Sequence, residues 1–248
     1  MALTSLDDAC AWVGPATVVV EAEGRVGTGF LAGGPGLVVT AFHLVADASA
    51  VTLRLPSGRK LAVDEVMGID ARRNIAVLRG PRRLPSLPVA LHTTELVEGT
   101  RLFAQAAPGD TTSLVLTRAG ASERVGELFT VCLLPALSAE TAPGSPLVGE
   151  NGLVVGLVTR VLSNVGPLPV GVPAAYLKAL FEGAPQPLAA LHTEGRRRKA
   201  VRRSIPTHPL SLLDGSSAAG LAAIGATLVT AIQTGAPAYN EGDVDGCY

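Results

Sequence analysis

The chain has 248 residues, with 20 Lys or Arg against 21 Asp or Glu, for a formal charge of −1; 48% of it is hydrophobic but only 4% aromatic. This is enough chain for one large domain or two modest ones, with a core built from Val, Leu and Ala, and the composition excludes global disorder. No apolar run reaches the roughly 18 residues expected of a membrane span, and the start, Met1-Ala2-Leu3-Thr4-Ser5-Leu6-Asp7-Asp8, lacks the basic opening of a signal peptide. The expectation is a cytoplasmic protein with no membrane contact.

In chain order, residues 16–180 read as short strands at regular intervals: Val18–Val20, Gly27–Leu31, Leu37–Thr40, Val51–Leu55 ending at the turn Pro56-Ser57-Gly58, Leu61–Met67 and Ile75–Leu78. The rhythm resumes at Thr100–Gln105, Ser113–Thr117, Glu127–Leu134 and Leu153–Thr159. Such spacing predicts an all-β barrel or sandwich. A helical pattern is read only at Pro173–Phe181, stopped by Gly183. Ala184-Pro185-Gln186-Pro187 then opens what reads as a linker. Within it, Arg196-Arg197-Arg198-Lys199-Ala200-Val201-Arg202-Arg203 places six positive charges in eight residues, against 14 basic and 21 acidic residues elsewhere. The run reads as a solvated linker, a contact for acidic surfaces or nucleic acid, or a protease-sensitive site; no aromatic residues interleave for base stacking. From Ser217 to Thr234 the chain is Ala- and Leu-rich and predicts a helix, interrupted at Gly235–Asn240. Three distant cysteines (Cys10, Cys132, Cys247) and four scattered histidines predict neither a metal site nor a disulfide framework, and no cofactor is expected.

Four segments carry the chemistry. Gly27-Thr28-Gly29-Phe30-Leu31 precedes Gly36–Val45, which contains Thr40-Ala41-Phe42-His43-Leu44-Val45. Thirty-one residues after His43 comes Asn74-Ile75-Ala76-Val77-Leu78. Ala142-Pro143-Gly144-Ser145-Pro146-Leu147-Val148 leads to Asn151–Leu157, and Val170-Gly171-Val172-Pro173 closes the set. In order and spacing the set resembles the trypsin-like serine proteases of the HtrA-type bacterial branch over about residues 14–182. The resemblance implies a mainly β fold of two antiparallel six-stranded β-barrels, at about 14–90 and 98–172, with a catalytic triad bridging them. The expected organisation is an N-terminal segment 1–13, a trypsin-like domain 14–182, a Pro-rich and basic linker 183–215, and a helical segment 216–248. Gly235–Tyr248 is weakly similar to the turn between paired helices of tetratricopeptide-like modules, although one unit falls short of the three or so that stack stably. Its end in mid-pattern reads as a truncated or processed chain.

The departures from the family's pattern matter more than the match. A Ser–His–Asp triad needs a hydroxyl nucleophile, an imidazole base and a carboxylate that fixes the imidazole tautomer, with backbone N–H groups aimed at the oxyanion. His43 holds the histidine position, but Asn74 stands where the family has Asp. Counting from Pro146 and from Asn151-Gly152 alike puts Pro143 at the serine position and Thr141 at the glycine that shapes the oxyanion hole. Proline offers neither a nucleophile nor an N–H. Asp70 is a poorly placed substitute acid. Ser145, two residues late and some 6–7 Å along an extended chain, is the strongest alternative nucleophile, ahead of Ser138 and Cys132.

The reading is a non-catalytic trypsin-like pseudoprotease that binds a protein partner, such as a protease or its regulator. Its basic run Arg196, Arg197, Arg198, Lys199, Arg202 and Arg203 would be a cleavage site, and family analogy points to caspase- or CRISPR-linked bacterial antiviral defence. The alternatives are an active cytosolic serine protease using Ser145 and a nucleic-acid-associated adaptor acting through the basic run.

Overall fold

The computed structural model describes residues 2–93, 95–107, 113–125, 129–135, 137, 142–163, 166–192 and 214–240. Two compact units divide the chain, residues 1–199 and residues 200–248.

The first unit opens with a helix that periodicity did not pick out, α1 (Leu6–Val13). Ser5 caps it: the Ser5 hydroxyl accepts the Asp8 N–H at 3.1 Å while the Asp8 carboxylate accepts the Ser5 N–H at 3.1 Å. This reciprocal pair satisfies two donors that a helix start otherwise leaves open. Ala9 and Val13 are buried, and Trp12 Nε1 donates to the Gly152 carbonyl at 2.9 Å, so the N-terminal segment is tied to the second barrel.

Seven strands follow: β1 (Thr17–Ala22), β2 (Arg25–Leu31), β3 (Leu37–Ala41), β4 (Val51–Arg54), β5 (Lys60–Val63), β6 (Glu65–Asp70) and β7 (Ile75–Arg79). They pair in the order β6-β7-β3-β2-β1-β4-β5. The two ends of that order, β5 and β6, are one stretch of chain separated by Asp64 alone. Counted as one bent strand, they make a six-stranded barrel.

The second set repeats the device with β8 (Arg101–Gln105), β9 (Leu114–Arg118), β10 (Ser122–Val125), β11 (Phe129–Leu133), β12 (Pro146–Gly149), β13 (Val154–Ser163) and β14 (Gly166–Pro173), in the order β10-β11-β14-β13-β12-β8-β9. Here β9 and β10 flank Ala119–Ala121, and Gly120 N–H bonds the Leu133 carbonyl through that bend. The expected pair of six-stranded antiparallel barrels is the architecture observed.

Side-chain alternation explains why these strands are apolar on both faces. In the first barrel Leu31, Val38, Ala76 and Leu78 point into its own core, while their neighbours Phe30, Val39, Ile75 and Val77 point into a shared layer. In the second, Leu102, Leu147 and Val158 face inward, and Phe103, Val148 and Leu157 join the same shared layer. A strand of period two with both faces buried reads as a continuous hydrophobic run. The shared layer fixes one barrel against the other.

Two boundaries differ from expectation. The helical turn after Pro173 is a 3₁₀ turn, Ala174–Leu177, continued by α3 (Lys178–Phe181), and Pro173 itself ends β14. The linker expected from residue 183 is docked at its start. Gln186–Pro187 form β15 and pair with β6, Leu188 N–H bonds the Asp64 carbonyl at 3.2 Å, and Leu191 is fully buried in the first barrel's core. Two leucines three residues apart supply the apolar anchor that offsets the ordering cost of this segment.

In the second unit, α4 (Ala218–Asn240) runs on where an interruption at Gly235–Asn240 was expected. The remainder of the tetratricopeptide-like stretch, 241–248, lies outside the described residues, as does the basic run 196–203.

Candidate active site

β3 delivers His43 to the junction of the barrels through a single helical turn, α2 (Phe42–Val45). Arg25 on β2 closes that turn: its guanidinium donates to the carbonyls of His43 at 2.9 Å and Ala46 at 2.6 Å. A cation on the last carbonyls of a helical turn satisfies acceptors that have no intrahelical partner.

Asn74 sits just before β7 with φ of +60°. That left-handed conformation is one Asn tolerates better than most residues. Its backbone carbonyl accepts the Phe42 N–H at 3.0 Å, and its side-chain Oδ1 accepts the His43 N–H at 2.8 Å. The amide is thereby oriented, because a backbone N–H must be met by the oxygen and not by the NH₂ group. Nδ2 then lies 2.8 Å from His43 Nδ1 and 2.5 Å from Thr159 Oγ1. Thr159 is a buried residue of β13, so Asn74 joins the two barrels.

The chemical consequence concerns the proton on His43. An NH₂ group facing Nδ1 requires Nδ1 to accept, which leaves the neutral ring's proton on Nε2. In the triad arrangement a carboxylate accepts from Nδ1–H, and Nε2 offers its lone pair as the base. With Asn74 in place the ring presents an N–H where a base would present a lone pair, and the group on Nδ1 is an uncharged amide instead of a carboxylate. Asp70 does not take over: its carboxylate accepts the Arg73 backbone N–H at 2.9 Å and pairs with the Arg73 guanidinium at 2.6 Å. That guanidinium also lies 4.3 Å from the centre of the Tyr176 ring.

The second barrel supplies the loop before β12. Pro143 is buried, and its carbonyl accepts the Thr28 N–H of β2 at 3.3 Å. Gly144 follows with φ of +84° and packs so tightly that a Cβ there would lie 2.1 Å from the Thr28 carbonyl oxygen and 2.9 Å from the Ala41 nitrogen. Only glycine meets both demands. Its N–H bonds the Val158 carbonyl at 2.8 Å. The loop is thus seated on β2 and β3, beside the strand that delivers His43, and His43, Asn74 and the Pro143 loop all lie along the barrel junction.

Ser145 is turned away from nucleophilic work. It is fully buried; its Oγ accepts the Gln105 N–H at 2.7 Å and lies 3.3 Å from the Pro146 carbonyl oxygen. Cys132 is buried in the second barrel's core, and burial pushes its thiol pKa up, away from the reactive thiolate. Thr141 and Ser138 lie outside the described residues. Sequence reasoning missed Arg25 and Thr159, whose roles depend on which strand neighbours which; no local signal in either strand marks them.

A trypsin-like peptidase domain model matches residues 27–157, just over half of the chain. A probable periplasmic serine endoprotease, DegP-like, from Chlamydia trachomatis is 27% identical over 146 residues, covering 56% of this chain and 29% of that protein. The mitochondrial serine protease HTRA2 of Bos taurus is 34% identical over 107 residues, covering 38% of this chain and 23% of its own. The anti-sigma-I factor RsgI9 of Acetivibrio thermocellus is 28% identical over 152 residues, 61% of this chain and 21% of that one. The chain thus spans less than a third of the length of these curated relatives. Among solved structures, the serine endoprotease from Yersinia pestis aligns with a TM-score of 0.61 at 20% identity, covering 72% of this chain and 67% of that one. The HtrA-type protease AlgW with tripeptide aligns with a TM-score of 0.60 at 19% identity, covering 72% and 62%. These likenesses establish the fold.

Proposed function

This chain belongs to the trypsin-like peptidase domain family, and from that premise we propose that it is a non-catalytic member, a pseudoprotease that binds and regulates a protein partner. The observation that carries the reading is the pairing of Pro143 with the Asn74 amide. Acyl transfer needs an oxygen or sulfur nucleophile, a base with a free lone pair, and two N–H donors for the oxyanion. Pro143 supplies no nucleophile and no N–H. Asn74 holds His43 in the tautomer that cannot accept the nucleophile's proton through Nε2. In an intact triad the Asp-to-Asn change alone lowers turnover about ten-thousand-fold.

Ser145 does not rescue the enzyme reading, because its hydroxyl is buried and serves the β8 backbone. What persists is the scaffold: two barrels locked by a shared layer, with the loop of the second still seated on the first. Such a body retains a surface for a protein partner after its chemistry is gone. The name of one relative, an anti-sigma factor, accords with a regulatory use of the domain. The partner class is a protein, a protease or its regulator, in the cytoplasm, with caspase- or CRISPR-linked antiviral defence as the setting suggested by family analogy. The basic run 196–203 is the proposed cleavage point. Limited trypsin digestion should cut there first, ahead of the Lys and Arg sites of the barrels.

The direct test is incubation of the pure protein with casein and with a fluorophosphonate probe. The expected outcome is no casein turnover and an unmodified intact mass. A probe adduct on any serine overturns the pseudoprotease reading.

A further inference from the structure

The turn that carries His43 is supported from within the first barrel by a segment far along the chain. Leu191 is fully buried in that barrel's core, in one cluster with Phe42, Leu44, Val45 and Ala48, which flank His43 on α2 and just beyond it. Leu44 also lies against β2, so close that a Cβ on Gly27 would come 2.2 Å from its Cδ1. The chain leaving α2 is tied at three successive points. Arg25 donates to the Ala46 carbonyl at 2.6 Å, the Leu191 carbonyl accepts the Asp47 N–H at 3.4 Å, and the Glu23 carboxylate accepts the Ser49 N–H at 2.7 Å. Asp47 has φ of +61°, a left-handed conformation that persists only where the surroundings hold it. Two of the three ties come from the β1–β2 hairpin, which is part of the barrel wall. The third comes from residues 186–192.

That third support is the lightly held one. Ala184, Pro185, Gln186, Pro187 and Ala189 are exposed, β15 is only two residues long, and neither Pro185 nor Pro187 has an N–H to donate. What seats the segment is the Leu188 N–H on the Asp64 carbonyl, the partly buried Leu188 side chain and the Leu191 anchor. A segment with exposed backbone and few buried apolar groups opens at lower free energy than the body beneath it. Past residue 192 the chain leads on to the second unit, residues 200–248.

We propose that residues 186–192 are a releasable brace of the His43 turn. When they lift, Leu191 leaves the core beneath Phe42, Leu44 and Val45, Asp47 loses one of its ties, and the turn carrying His43 loosens. A partner that draws the chain away beyond residue 192 is thereby felt at the barrel junction, and a ligand that stiffens the His43 turn favours the docked brace in return. Leu191 is a positioning residue, acting on His43 only through the turn. The coupling is the same whether or not His43 can serve as a base, so it stands or falls apart from the pseudoprotease reading.

The test is hydrogen exchange of the full chain in mild denaturant, read on peptides covering 42–49 and 184–192. In the wild-type chain 188–192 and 44–49 should open together, under conditions where β3 and β7 stay protected. Leu191→Ala should speed exchange across 44–49 by about tenfold or more, leave β8–β14 unchanged, and shift the His43 imidazole ¹⁵N signals. Leu191→Met, which refills the socket, should restore both readouts. Opening of 188–192 in the wild-type chain with 44–49 still protected overturns the proposal, and this outcome needs no variant to fold. So does an unchanged 44–49 in Leu191→Ala, or acceleration by the same factor in every strand of both barrels, which would make Leu191 a general core residue.

Discussion

The first barrel brings a histidine, His43, and an amide, Asn74, to the junction, and the second barrel brings a loop with a proline, Pro143, where the resemblance places a serine. His43 stands just past the end of β3, its turn clamped by Arg25 and its ring touched by the Asn74 amide. Across the junction, the loop at 142–145 is held by backbone hydrogen bonds, among them Thr28 N–H to Pro143 and Gly144 N–H to Val158, and carries a proline where the resemblance places the serine. The contrast separates two demands that coincide in an active enzyme. The loop's path is held by main-chain hydrogen bonds and one indispensable glycine, so it does not depend on the side chain at position 143. Reactivity depends on side chains that contribute little to that path.

This comparison can be broken most sharply at Gly144. Gly144→Ala places a methyl group against the Thr28 carbonyl oxygen and forces a side chain into positive φ. A loss of about 3 kcal/mol or more is expected, lowering the melting temperature by some 6–12 °C for a body of this size. A shift below 2 °C would mean the loop is not seated as described. Ser145→Ala comes next. It strips a buried acceptor from the Gln105 N–H and should cost about 1–3 kcal/mol by denaturant titration. An unchanged midpoint would remove Ser145 from the structural role assigned to it.

A smaller effect is expected far from the junction, at Glu21 on β1. Its carboxyl is held below the usual carboxylate range by the Lys60 ammonium at 2.7 Å, assisted by Arg54 at 3.2 Å. The folded-state pKa is depressed, so the stabilisation is complete above the unfolded value near 4.5 and is lost as pH falls through the folded one. Glu21→Gln should lower stability at pH 7 by no more than about 0.5 kcal/mol, and the difference should vanish in acid. A gap that persists at pH 2 would point to packing, not charge. The smallest expected effect is catalytic. Pro143→Ser restores a hydroxyl and an N–H but leaves Asn74 and Thr141 in place, and peptide turnover should stay at the uncatalysed background. Measurable turnover would show that the amide is a lesser obstacle than the proline.

Much of the body is legible in the residues because its motifs are backbone requirements. Gly27-Thr28-Gly29-Phe30 and Gly144-Ser145-Pro146 mark places where chains approach closely, and alternating apolar residues mark the strands. Helix α1 escapes periodicity because it has only eight residues; its signature is the Ser5–Asp8 capping box, which is readable but short. The docking of 186–192 is hidden because Leu188 and Leu191 sit among prolines and small polar residues, where a linker is the natural expectation. The orientation of the Asn74 amide is beyond any sequence pattern. It follows from the His43 N–H and from Thr159, which reaches the site only through the pairing of β13 in the other barrel.

The account turns on which imidazole nitrogen of His43 carries the proton. Long-range ¹H–¹⁵N correlation of ¹⁵N-histidine-labelled protein, held above the titration range of its imidazoles and assigned against a His43→Gln control, reads this directly. The prediction is the Nε2–H tautomer, with Nδ1 at the chemical shift of an unprotonated acceptor and Asn74→Asp reversing the pattern. A wild-type His43 protonated on Nδ1, with Nε2 free, would contradict it.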